Sequence, residues 1–147
     1  MAPFVALVVT TCIARALGAG VPSLSTLSSW STATAVGVAA MFTLASTAHF
    51  RQPRRAGLVA IVPTGVPRPE LAVTVTGVLE IVGALGVLVP ATRTVAAVCL
   101  ALLLVAMFPA NVRAASGPVH PSAPTTPLAL RTALQVVFIT ACVVAAT

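Results

Sequence analysis

The chain has no lysine, no aspartate and no tyrosine, and its 147 residues include only two glutamates, Glu70 and Glu80. Charged side chains make up 7% of it. A soluble domain of this size needs a charged surface, commonly about a quarter of its residues. A water-facing exterior is therefore excluded, and the outside of the molecule has to face lipid. With no aspartate there is no Ser/His/Asp arrangement, and nothing supports nucleophilic catalysis. No Gly-rich loop lies between a strand and a helix, which removes phosphate cradling and dinucleotide binding. The three cysteines, Cys12, Cys99 and Cys142, lie in three different apolar runs and form no CxxC pair. Neither a zinc knuckle nor a thioredoxin-like centre is indicated, and buried free thiols of this kind behave as small hydrophobes. His49 and His120 are too few for metal ligation, which needs about three or four converging ligands.

All eight cations are arginines, and the pI is near 11.5. They sit at the ends of apolar runs and in loops, with no aromatic-interleaved basic face of the kind nucleic acid requires. Membrane topology and lipid headgroups account for them, so the bilayer is the expected partner and nucleic acid is not.

What the chain does have is apolar sequence: 59% hydrophobic residues and a mean hydropathy of +1.09. Five apolar segments appear, at about 3–20, 30–50, 70–89, 92–115 and 128–146, each near the ~20 residues a spanning helix needs. They predict an all-α transmembrane helical bundle in one membrane domain, residues 1–147. The first segment has the length of a signal peptide. It lacks a positively charged leading region, however, and Arg15 interrupts its apolar part, so it is read as a retained helix. If it were cleaved or peripheral, four spans would remain with the same cytoplasmic loops.

The connections carry their own signals. Ser28 or Ser29 is placed to cap the second helix, and Trp30 lies at interface depth. The stretch 51–69 is rich in Arg and Pro, and its apolar middle, Ala56 to Val62, is too short to span. A short interfacial segment followed by a Pro-restricted turn is expected there. Pro90 to Arg93 makes a tight hairpin. Pro109 falls near the end of the fourth span, where it can kink the last turns. The loop 116–127 should be irregular, with Pro127 suited to the first turn of the last helix. With five spans, Arg51, Arg54, Arg55, Arg68, Arg113 and Arg131 fall on one side of the membrane and Arg15 and Arg93 on the other. That asymmetry places the N-terminus and the 51–69 loop in the cytoplasm of a multi-pass cell-membrane protein, and the C-terminus outside.

Polar residues inside the spans are the candidates for function. At ~1.5 Å per residue Glu80 lies ~15 Å from Glu70, about half of a ~30 Å hydrocarbon core, where an ionisable group is costly. Val73, Thr76/Gly77, Glu80, Gly83/Ala84 and Val87 share one helix face, small apart from the acid, so Glu80 should sit in a tight interhelical contact. It either holds helix register as a bonded buried acid or serves as a proton site or ligand anchor. Arg131 and Gln135, spaced i,i+4, project from one face of the last helix. Gln135 lies ~12 Å deep by the same rise, so these two are the expected partners of Glu80, with Arg15 as rival. His49 ends the second span and Asn111 lies near the end of the fourth on the same side. They act either as capping groups or as the lining of a cytoplasmic vestibule below Glu80.

His49-Phe50 at a helix end, Pro63…Pro67-Arg68-Pro69, Thr76 to Ile81, Gly83 to Pro90 and Met107 to Asn111 resemble, in that order and spacing, the DoxX family over about His49 through Gln135. The resemblance implies a DoxX-type four-helix core, to which the segment before Trp30 adds an extra N-terminal spanning helix. It also implies a link to redox systems. The family takes its name from a subunit associated with a sulfur-oxidising quinone reductase, and some members associate with redox-defence enzymes. His49, Glu80 and Asn111 occupy the family's motif positions.

The expectation is a non-catalytic subunit or small lipophile-binding protein of a redox-linked membrane assembly. Glu80, Gln135, Arg131, Asn111 and His49 are its ligand or proton candidates, with no catalytic or metal residue. No cofactor is evident beyond a quinone or another lipophile, and the partners are a membrane redox protein or further copies of the chain. A small-solute or proton transporter using Glu80, and a structural scaffold with no ligand, are the alternatives.

Overall fold

The computed structural model describes residues 1–117 and 119–147, so Pro118 of the 116–127 loop lies outside the described residues. Among the described residues six α-helices run in chain order: α1 Ala2–Gly20, α2 Trp30–Phe50, α3 Arg54–Ile61, α4 Pro69–Leu88, α5 Arg93–Ala115 and α6 Leu128–Ala146. A 3₁₀ segment, Pro22–Ser28, joins α1 to α2. Among the described residues five helices, all but α3, are long and apolar enough to cross a membrane. Their ends fall within a residue of the five apolar segments read from the sequence. Pro69 opens α4, where a missing N–H costs nothing because the first turn has no intrahelical acceptor for it. Arg68 before it takes a left-handed φ of 53° as the chain turns into the helix.

α2, α4, α5 and α6 form a ring in which each helix packs on the next and α6 closes back onto α2. Successive spans alternate in direction. At one end Thr94 of α5 donates to the Ala146 carbonyl (3.0 Å) and Arg93 reaches Thr32 of α2 (3.2 Å). α1 stands outside the ring, packed along α2. α2 is thus enclosed from three sides, and its Ala33, Ala35, Gly37, Val38, Met41 and Phe42 are all buried. Small side chains are what permit this crowding, since helices in lipid associate mainly through close van der Waals packing. The other spans bury only narrow stripes, and many of their remaining valines and leucines are exposed.

Local chemistry sets the ends. Ser29 caps α2, accepting from the Thr32 amide at 3.1 Å. The α4–α5 hairpin is closed by the Thr92 hydroxyl donating to the Gly86 carbonyl at 2.8 Å. Pro127 is the residue before α6 rather than part of its first turn, and its carbonyl accepts from the Arg131 amide (3.1 Å). α5 runs on through Pro109 to Ala115. The apolar middle of the 51–69 stretch, too short to span, is the helix α3, which buries Gly57 and Ile61.

Candidate functional site

The polar residues inside the spans gather at the arginine-rich end of the ring. α4 buries Val73, Gly77, Glu80, Ala84 and Val87, the small-residue face expected from helical spacing. Gly77 admits the last turn of α2: a Cβ there would lie 2.6 Å from the His49 Cβ and 2.9 Å from the Phe50 ring. The close approach inserts the His49 imidazole between α2 and α4, where His49 is 5% and Glu80 2% exposed. His49 Nδ1 lies 2.8 Å from the Val73 carbonyl and 3.2 Å from the Thr76 hydroxyl. Its other nitrogen, Nε2, faces Glu80 Oε2 at 3.5 Å, a contact too long for a good hydrogen bond, and Oε2 has no hydrogen-bond partner.

Glu80 therefore meets α2, not α6. Arg131 and Gln135 do share a face, as i,i+4 spacing requires, but that face turns to α5. Arg131 Nη1 donates to Asn111 Oδ1 (3.1 Å) and Asn111 Nδ2 to Gln135 Oε1 (3.4 Å). The expected pairing fails because α4 and α6 sit diagonally across the ring, each flanked by α2 and α5. The rival, Arg15, stacks its guanidinium over Trp30, 4.5 Å from the ring centroid.

Two arginines tie the end of the bundle together. Arg55 of α3 donates to the His49 carbonyl (2.6 Å), the Thr74 hydroxyl (3.0 Å) and the Glu70 carbonyl (3.2 Å). It supplies a donor to a C-terminal carbonyl of α2 that no intrahelical N–H can reach. Arg131 also holds the Thr126 and Pro124 carbonyls, at 2.7 and 2.6 Å, and so anchors the loop before α6. Arg55 was not among the sequence candidates. Its only signal was membership in a group of three arginines, Arg51, Arg54 and Arg55, within six residues of a helix-ending histidine.

Between these clusters lies a cavity of about 340 Å³. His49 and Thr76 stand on one wall and Asn111 and Arg131 on another. Ile61, Val62, Val66, Val73 and Met107 supply apolar lining, joined by Pro63 and Pro124. Of the sequence candidates, His49, Asn111 and Arg131 reach this space. Glu80 is in contact with His49 and Gln135 with Asn111, and neither lines it. Cys142 is buried in the core cluster, while Cys12 and Cys99 are exposed on other helices. Among the described residues no three His, Cys, Asp or Glu side chains converge as metal ligands do. The site can bind and orient an apolar molecule with a few polar atoms.

A family model described as a domain of unknown function, DUF8561, matches residues 38–146, more than half of the chain, and the chain belongs to that family. No curated protein and no solved structure matches it significantly.

Proposed function

We propose that this DUF8561 member is a non-catalytic membrane protein that holds a small lipophile, quinone-like in size and polarity, as part of a redox-linked assembly. The observation that carries the reading is the cavity with its polar side chains on opposed walls. Its ~340 Å³ falls at the small end of ligand pockets, which are mostly apolar with a few placed polar groups. Arg131 commits three guanidinium N–H groups to Asn111, Thr126 and Pro124, leaving two of its five for an acceptor in the cavity. Thr76 lines the same space from α4. A flat ring with a carbonyl at each end suits that arrangement. The DoxX-like residue order adds the reason to look for a redox partner, by analogy alone.

The arginine distribution supports a multi-pass cell-membrane orientation with the N-terminus and this cavity on the cytoplasmic side and the C-terminus outside. A second reading, proton or small-solute transport, is favoured by one observation, the buried acid Glu80 with an unpartnered oxygen. Native purification followed by mass spectrometry tests the first. A co-purifying lipophile should be present in the wild type and in Val105→Leu on the lipid face. It should be lost in Asn111→Leu and Arg131→Met. Ligand content unchanged in both cavity variants would sink the proposal.

A further inference from the structure

We propose that His49 and Glu80 together form a proton-binding site, holding one proton between imidazole Nε2 and carboxyl Oε2, and that this site communicates with the cavity through His49. Only the coupling to cavity occupancy rests on the lipophile-binding reading.

Hydrogen-bond chemistry carries the first part. A carbonyl oxygen can only accept, so Nδ1, 2.8 Å from the Val73 carbonyl, bears a hydrogen. The Thr76 hydroxyl donates its own hydrogen to the Ala72 and Val73 carbonyls, both at 3.0 Å, and is an acceptor toward the ring. A neutral ring with Nδ1 protonated presents a lone pair at Nε2. That lone pair faces Oε2 at 3.5 Å, and Oε2 is buried without a hydrogen-bond partner. Two bare acceptors in contact repel, and a single proton turns the contact into an attraction. The result is either imidazole with carboxylic acid or imidazolium with carboxylate. Both have zero net charge, so the proton can reside on either atom without leaving a net buried charge. Losing it leaves −1 and adding another leaves +1. The titration therefore belongs to the pair and to neither residue alone.

The surroundings contain no competing acid. From α3 the Arg55 guanidinium holds the His49 carbonyl, and from α6 Arg131 lies across the cavity. α5 presents the neutral Asn111 and Met107 to the same space. Glu70, at the start of α4, is exposed. Arg15 of α1 is stacked on Trp30, away from the pair. His49 lines the cavity and Glu80 does not, so exchange between the pair and the cavity passes through the imidazole. A molecule filling the cavity replaces water beside that ring and changes how tightly the proton is held. By linkage the proton changes the affinity of the molecule by the same factor.

Infrared difference spectra of the protein in lipid nanodiscs, taken through a pH titration with and without ubiquinone-1 as probe, test this. The expected result is one proton on the pair near neutral pH, seen as carboxylic acid with neutral imidazole or as carboxylate with imidazolium, in a state bounded by an acid and an alkaline midpoint. In Glu80→Gln the carboxyl band should vanish and the imidazole midpoint should move. With ubiquinone-1 bound, at least one of the two wild-type midpoints should shift. Wild-type spectra near neutral pH that show carboxylate with neutral imidazole, or carboxylic acid with imidazolium, would overturn the proton site, and that measurement needs no variant to fold. A bound probe that leaves both midpoints in place would overturn the coupling. If ubiquinone-1 does not bind, the quinone reading of the cavity fails, while the one-proton state still supports the proton site.

Discussion

Gly77 faces His49 so closely that a methyl group does not fit between them: a Cβ at position 77 would stand 2.6 Å from the His49 Cβ. The position of the imidazole, and with it one wall of the cavity, depends on the absence of a side chain on the neighbouring helix. Alanine is the better helix former by about 1 kcal/mol, yet overpacking at a tight contact costs about 1–3 kcal/mol. Gly77→Ala should therefore lower stability and push α2 from α4. Gly20→Ala, with nothing within 4 Å of its added Cβ, should leave stability near that of the wild type. Unfolding in mixed detergent micelles compares the two.

Arg55 joins the last turn of α2 to the first turns of α4 through three acceptors. Hydrogen bonds from a charged donor contribute roughly 1.5–3 kcal/mol each when fully formed. Arg55 is half-exposed, so Arg55→Ala should cost only about 1–2 kcal/mol, near the low end for a single bond of that kind. Arg55→Lys should not restore it, because an ammonium cannot reproduce the planar fork. Hydrogen exchange should accelerate over residues 47–50 and at the start of α4, and stay unchanged at the Thr92–Thr94 end.

Orientation has a direct assay. In a cysteine-free background, Thr64→Cys lies in the turn after α3 and Ala91→Cys in the α4–α5 hairpin, both exposed. The arginine asymmetry predicts that a membrane-impermeant thiol reagent labels position 91 on intact cells and position 64 only after lysis. The reverse pattern would invert the topology.

Much of this architecture was legible because it depends on one-dimensional patterns. The spans follow from runs of about 20 apolar residues, and the α4 face from Val73 to Val87 follows from helical spacing. The same periodicity put Arg131 and Gln135 on one side of α6. Which helix that side meets is not a one-dimensional property. It depends on the order of helices around the ring, and the diagonal placement of α4 and α6 gave Glu80 to His49 and Arg131 to Asn111. Of the cavity, only a vestibule lined by His49 and Asn111 was foreseen, as one of two readings, and the rest of its lining escaped for a related reason. Its lining comes from five helices and two loops, and its most extensive polar tether, Arg131 to the Pro124 and Thr126 carbonyls, bonds backbone groups that carry no residue-specific mark.

Among the described residues α1 packs on the ring mainly along α2. Gly37 makes the contact close, since a Cβ there would collide with Thr11 and the Leu7 carbonyl. The consequence is a molecule with a back and a front in the membrane plane. Its α2 flank is already occupied, whereas the arc of α4, α5 and α6 presents Leu85, Val95, Leu102 and Val136 outward.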